Sequence, residues 1–156
     1  LVLLAVVYPS RHLEEPFDGI LYAAVVSVGF ATMENFFYLD QFGVSVVAAR
    51  TIITIPAHAF MSVPMGYFVA KSRLLIDASK ETQFRYYLPM MTVFQGWIIS
   101  AFLHGSYDFF LTLRMEREAY LQILLMAGIS LWLGRYALRV SRWKAEGLWL
   151  KSDFKS

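Results

Sequence analysis

Apolar residues in this chain come in blocks, and short polar stretches separate them. Asp18 to Leu39, Thr51 to Ala70, Leu88 to Leu111 and Glu118 to Val140 each hold about 20 or more mostly uncharged residues, enough to cross a hydrocarbon core of about 30 Å. Within a block the apolar positions do not recur at amphipathic spacing, so each predicted helix is apolar on all sides, as a membrane span is. The pattern predicts an all-α fold, a polytopic transmembrane helix bundle. Its spanning helices cover residues 18–39, 51–70, 88–111 and 118–140 of a single domain running from 1 to 156. Leu1 to Tyr8 is apolar but too short to span, and reads as the end of a truncated upstream helix. No basic n-region or small-residue cleavage site makes that start a signal peptide.

Charge placement turns the spans into a topology. Arg11 lies before the first block, and Lys71, Arg73, Lys80 and Arg85 lie between the second and third. Arg135, Arg139, Arg142, Lys144, Lys151 and Lys155 gather at the C-terminal end, while only Arg50, Arg114 and Arg117 fall on the opposite side. The positive-inside rule then places residues 9–17, 71–87 and the tail at 141–156 in the cytoplasm. A net charge of +2 without a basic, aromatic-interleaved surface excludes a nucleic-acid partner. Membrane lipid is the expected surrounding. Tyr8, Tyr22, Tyr86, Tyr87, Trp143 and Trp149 read as interfacial belt residues. Gly29, Gly66 and Gly105 read as points of close helix approach, and Asp18 as an N-cap.

Four ionisable side chains interrupt the apolar blocks: Glu34, His58, His104 and Asp108. Such groups are expensive in hydrocarbon, which makes them candidates for function. At 1.5 Å per residue Glu34 lies about 8 Å from the outer end of its helix, His104 about 11 Å and Asp108 about 5 Å. His58 lies about 11 Å below Thr51 if its helix starts there, with Arg50 as an outer anchor. His104 and Asp108 stand at i, i+4 on one helix face, as do Glu34 and Tyr38, with Asn35 beside the acid. Pro56 and Pro64 each remove a backbone hydrogen bond from the His58 helix and are expected to bend or open it.

Chemistry narrows by exclusion. Cysteine is absent, so thiol nucleophiles, disulfides and thiolate metal sites are out. No GxSxG or HExxH occurs, Ser106 points away from His104 on a helix, and Tyr107–Asp108 lacks the GxGD partner of a presenilin-type aspartyl protease. A carboxylate and imidazoles remain, able to activate water and stabilise an oxyanion, alone or around a divalent metal such as zinc. On these residues alone both arrangements stay open.

The runs EPFDGILYA, GFATMENFFY, ARTIITIPAHAFMSVPMGYF and FLHGSYDFF, in that order from about Glu15 to Phe110, resemble the PrsW family of intramembrane proteases, relatives of the type II CAAX prenyl endopeptidases. The resemblance implies an intramembrane endopeptidase that cuts membrane-anchored protein substrates, anti-sigma factors among them, near the extracytoplasmic face. It maps Glu34 and Asn35 onto the family's acidic motif, His58 onto the histidine of the next helix, and His104 with Asp108 onto an HxxxD-like motif. The family's EExxK or EExxR pair belongs on the preceding helix, where only Leu1 to Tyr8 stands; with that pair added the resemblance implies a site crowded with carboxylates, for which proton sharing without a metal is the simpler arrangement. Glu14 and Glu15 are no substitute, since Pro16 breaks a helix there and Asp18 takes the place of the basic residue.

Blander readings stand beside these. Glu34 could be a structural acid paired with Arg50, either histidine an ordinary hydrogen-bonded interior group, Asp108 an orienting partner and Asn35 interhelical glue. A non-catalytic membrane scaffold or substrate-binding relative would then be the alternative, and a proton or metal transporter a further one.

Overall fold

A computed structural model describes residues 2–78 and 87–145, with side chains as far as Ile76 in the first stretch and Ser141 in the second. All regular structure among the described residues is helical. A π-helical turn at Leu3–Val7 leads to three long helices, α1 (Pro16–Ala78), α2 (Tyr87–Thr112) and α3 (Glu116–Ala145). Lys80, Arg85, Tyr86, Trp143, Trp149 and the tail basic residues lie outside what is described, in whole or by side chain.

The long α1 is two rods. Gly43 has φ 80° and ψ 173°, a conformation essentially restricted to glycine, and folds the helix back on itself. The first arm (16–42) is about 40 Å long and the second (44–78) about 52 Å. Contacts between them step symmetrically outward from Gly43: Glu34 meets Arg50, Ser27 meets His58, and Gly19 meets Gly66. The expected loop over 40–50 is therefore a correction. Asp40, Gln41, Arg50 and the small and β-branched residues between them all continue a helix, and one glycine makes the turn.

α1 starts differently from expectation as well. Pro16 sits at the first helical position, where its missing N–H costs nothing. Asp18 is not the N-cap: its carboxylate reaches back to accept the N–H of Glu15 at 2.9 Å and of Glu14 at 3.1 Å, the acidic half of a capping box. The α2–α3 turn is a Schellman motif. Arg114 takes the left-handed conformation at φ 58° and donates to the Leu111 carbonyl, while Met115 donates to that of Phe110.

The second arm, α2 and α3 complete an alternating up-and-down arrangement. Residues 65 and 58 of the second arm meet residues 100 and 104 of α2 in reversed order. Phe60 and Tyr67 meet Ser130 and Tyr136 in the same order, so the second arm runs parallel to α3. Close approach uses Gly19, Gly66 and Gly96, where a Cβ would collide with the neighbouring helix. Gly29 and Gly105 have open space around them, contrary to expectation, because their faces point outward. Tyr8 and Tyr22 pack on the core of Leu3, Val7, Leu13, Ala23, Val69 and Ala70, and the Tyr8 hydroxyl lies 3.0 Å from Ser72 Oγ. They are core residues here, not belt residues.

Proline opens the second arm at one place with a visible repair. Pro64 cannot donate to the carbonyl of Phe60, and Ser130 Oγ of α3 donates to it instead at 3.0 Å. The freed carbonyl is thus spent on packing, not left for a substrate. Among the described residues two helices, Pro16–Ile76 and Glu116–Ser141, are long and apolar enough to cross a membrane. Their outward faces carry Phe36, Phe37, Ile52, Leu124 and Leu125, all exposed. So continuous an apolar surface belongs in lipid.

Candidate functional site

Antiparallel register and side-chain tilt together assemble the site. On a helix each Cα–Cβ bond leans toward the N-terminus. Glu34 on the rising first arm therefore leans down, and His58 on the descending second arm leans up. Their backbones differ in level by about two turns, His58 lying some 21 Å from Gly43 and Glu34 some 12 Å. The long side chains close that gap, bringing Glu34 Oε2 to 3.5 Å from His58 Nε2. His58 is thus deeper than the helix start assumed at Thr51 would put it, and still joins the acid.

α2 supplies the next link. His104 Nε2 lies 3.0 Å from His58 Nε2, with the rings edge-on at 74°, and His104 Nδ1 lies 3.0 Å from Asp108 Oδ2. The four predicted residues form one chain of contacts, Glu34 to His58 to His104 to Asp108, that runs from the buried His58 to the exposed Asp108. Asn35 is buried but belongs to a neighbouring cluster, donating from Nδ2 to Thr51 Oγ1 at 3.2 Å.

The outer atoms of the two imidazoles fix the inner ones. His58 Nδ1 is 2.8 Å from the carbonyl oxygen of Thr54, which can only accept, so that nitrogen carries the proton. His104 Nδ1 is held in the same way by the Asp108 carboxylate. In neutral rings the two Nε2 atoms would then point lone pairs at each other across 3.0 Å. A proton carried on one Nε2 and donated to the other meets that distance, and the same two nitrogens converge as a pair of ligands would. Ring nitrogens oriented through their far N–H by a carbonyl and a carboxylate are what metal-binding histidines ordinarily show.

No group of three His, Cys, Asp or Glu among the described residues forms a complete metal cage. The reason is visible at Glu34: its Oε2 is engaged by Arg50 Nη2 at 3.3 Å. The donor set is a converging imidazole pair with one carboxylate oxygen drawn to its side by a guanidinium. The two ring nitrogens are donors of the type a borderline ion such as zinc takes, and Glu34 Oε2 lies 3.5 Å from one of them.

Arg50 makes the ion pair with Glu34 that the structural-acid reading expects, and holds more than that pair. Its guanidinium lies over the Tyr38 ring at 3.6 Å, its Nε donates to Asn35 Oδ1 at 3.4 Å, and its Nη2 meets Glu34, so that residues 34, 35 and 38 of one arm hold it together. Thr54 and Ser27 were missed: the first carries the carbonyl that orients His58 and the second donates to the His58 carbonyl at 2.8 Å. Thr54 Oγ1 in turn donates to the Arg50 carbonyl. The i−4 spacing of Arg50, Thr54 and His58 was a usable signal for this ladder. Gln122 of α3 clamps the back of the His104 turn, donating to Leu103 O at 2.8 Å and Ser106 Oγ at 2.6 Å.

Residues 1–133 match the sequence model of a family described as PrsW family intramembrane metalloprotease. Among curated proteins the chain is 39% identical over 126 residues to Protease PrsW of Geobacillus kaustophilus, covering 81% of this chain and 50% of that one. It is 38% identical over 111 residues to Protease PrsW of Bacillus subtilis, covering 71% and 47%. To the protein of the same name from Shouchella clausii it is 34% identical over 133 residues, covering 85% and 56%. The chain spans about half the length of the curated relatives it matches. No solved structure matches it.

Proposed function

Because the chain belongs to the PrsW family of intramembrane metalloproteases, we propose that it carries the hydrolytic centre of an endopeptidase that cuts membrane-anchored protein substrates, of the anti-sigma-factor kind, near the extracytoplasmic face. The observation that supports this most is the pair of imidazoles facing each other at 3.0 Å with an acid at their side, a costly arrangement in an apolar bundle unless it has a use. Four rods cross the membrane in this reading, the two arms of α1 with α2 and α3. The Gly43 turn and the Arg114 turn face outward, and the C-terminus lies in the cytoplasm of a bacterial cell.

His58 and His104 would hold a divalent metal, which when bound would supply Lewis acidity toward a peptide carbonyl and lower the pKa of water, with Glu34 left off the ion as the base. The chain's own groups do the rest. Glu34 takes the proton from the attacking water and returns it to the leaving amide nitrogen, at its Oε2. Arg50 fixes the rotamer of that carboxylate, and the carbonyl of Thr54 and the carboxylate of Asp108 fix the two rings. Apolar neighbours such as Phe30, 6.0 Å from the His58 ring, limit bulk water.

Glu34→Gln and His104→Ala in the full-length protein should each reduce cleavage of a membrane-anchored substrate by about 10²-fold or more, with insertion and accumulation unchanged. The Arg50–Glu34 ion pair is also what a purely structural acid in a scaffold would show. A scaffold role predicts the opposite result for the same variants: lost accumulation, and no cleavage to lose.

A further inference from the structure

On the side of the second arm away from Glu34's helix lies a groove of about 410 Å³ between the start of that arm, the end of α2 and the start of α3. Ala49, Ile53 and Leu111 form its apolar walls, and Arg50, Thr54 and Tyr107 put polar groups along it. Two of those residues belong to the candidate centre: Arg50 holds Glu34, and Thr54 holds His58. Among the described residues the contacts of Arg50 use Nη2, Nε and the guanidinium face. The two N–H groups on its other terminal nitrogen are left for whatever occupies the groove.

Size and chemistry choose the occupant. One turn of α-helix with its side chains is a cylinder about 10 Å across and 5.4 Å long, roughly the whole volume of the groove, so an intact helix would seat no more than a single turn there. An acyl chain fits but offers no acceptor to the remaining terminal nitrogen of Arg50 in a low-dielectric place. A few residues of extended polypeptide fit both requirements, since their carbonyls accept from Arg50 and Tyr107 while their side chains meet the walls.

Resting on the protease reading above, we infer that this groove seats an unwound stretch of a membrane-anchored polypeptide beside the imidazole pair. Arg50 links the two, binding a substrate carbonyl on one side and positioning the Glu34 carboxylate on the other. A helix must unwind before its peptide bonds can be attacked, because its carbonyls are hidden in its own hydrogen bonds. The groove supplies donors in exchange.

The test places a photo-crosslinking amino acid at Ile53, or at the lipid-facing Phe102 as control, in full-length protein carrying Glu34→Gln, together with a single-pass substrate that the wild type cleaves. Adducts from position 53 and not from 102 are expected. The groove-filling Ala49→Trp, in an otherwise wild-type protein, should raise KM by about tenfold or more with a smaller change in kcat. Arg50→Lys should lower kcat, and Arg50→Met lower it further. Equal adducts from both positions, or none from 53 while the wild type still cleaves, would overturn the groove and leave the protease standing. Adducts from 53 without cleavage by the wild type would keep the groove and remove the protease.

Discussion

Between Gly19 and Gly66 the two arms of α1 approach until a side chain on either glycine would strike the other's carbonyl, and Ala23, Val69 and Ala70 around them are fully buried. Closer to Gly43 the same arms are held apart by Glu34, Asn35, Tyr38 and Arg50, whose long side chains fill the gap with one ion pair, one hydrogen bond and one stacked guanidinium. One end of the hairpin is a backbone clamp and the other a polar spacer. In lipid, where apolar side chains gain little by meeting one another, close packing of small residues supplies the adhesion. That frees the outer end to carry groups that are poor at adhesion and useful in chemistry.

The comparison breaks most sharply at the site. His58→Ala should cut cleavage by about 10²-fold or more in a substrate assay while the amount of protein in the membrane stays the same, because the clamp does not involve it. Gly66→Leu should do the reverse. Overpacking against Gly19 costs about 1–3 kcal/mol or more, so thermal unfolding in detergent should shift down before any direct effect on the centre. Asp108→Ala removes only the orienting partner of His104 and should cost about 10- to 100-fold in activity or metal affinity, measured by titration. Ser130→Ala, which uncaps the Phe60 carbonyl on the far side of the second arm, should cost about 1 kcal/mol or less and leave kcat unchanged.

How much of this could be read from the chain depends on what each residue's role requires. Glu34, His58, His104 and Asp108 stood out because a charged group in an apolar run is conspicuous wherever the helix goes. The helical class was legible for the same reason, from the long apolar blocks. Gly43 was not legible as the apex, since Asp40, Gln41 and Arg50 around it look like a polar loop although each is content in a helix. The pairing of Arg50 with Glu34 was legible as an acid and a base flanking one turn, but its contacts with Asn35 and Tyr38 needed the register of the hairpin. Gly29 and Gly105 had the right composition for close approach and the wrong face, while Gly19 and Gly96 had the right face. Face in an all-apolar helix is set by tertiary packing, and without amphipathic spacing the sequence carries little trace of it.

At the centre of the account is the proposal that a divalent metal binds His58 Nε2 and His104 Nε2. Metal analysis with X-ray absorption on purified, active full-length protein tests it directly. The account predicts about one divalent ion per chain with two imidazoles among its ligands, removed by a chelator together with activity. The ion should be absent from His58→Ala and His104→Ala proteins that unfold at the wild-type temperature. Fully active protein without stoichiometric metal and indifferent to chelation would contradict it, and leave the pair to share a proton instead.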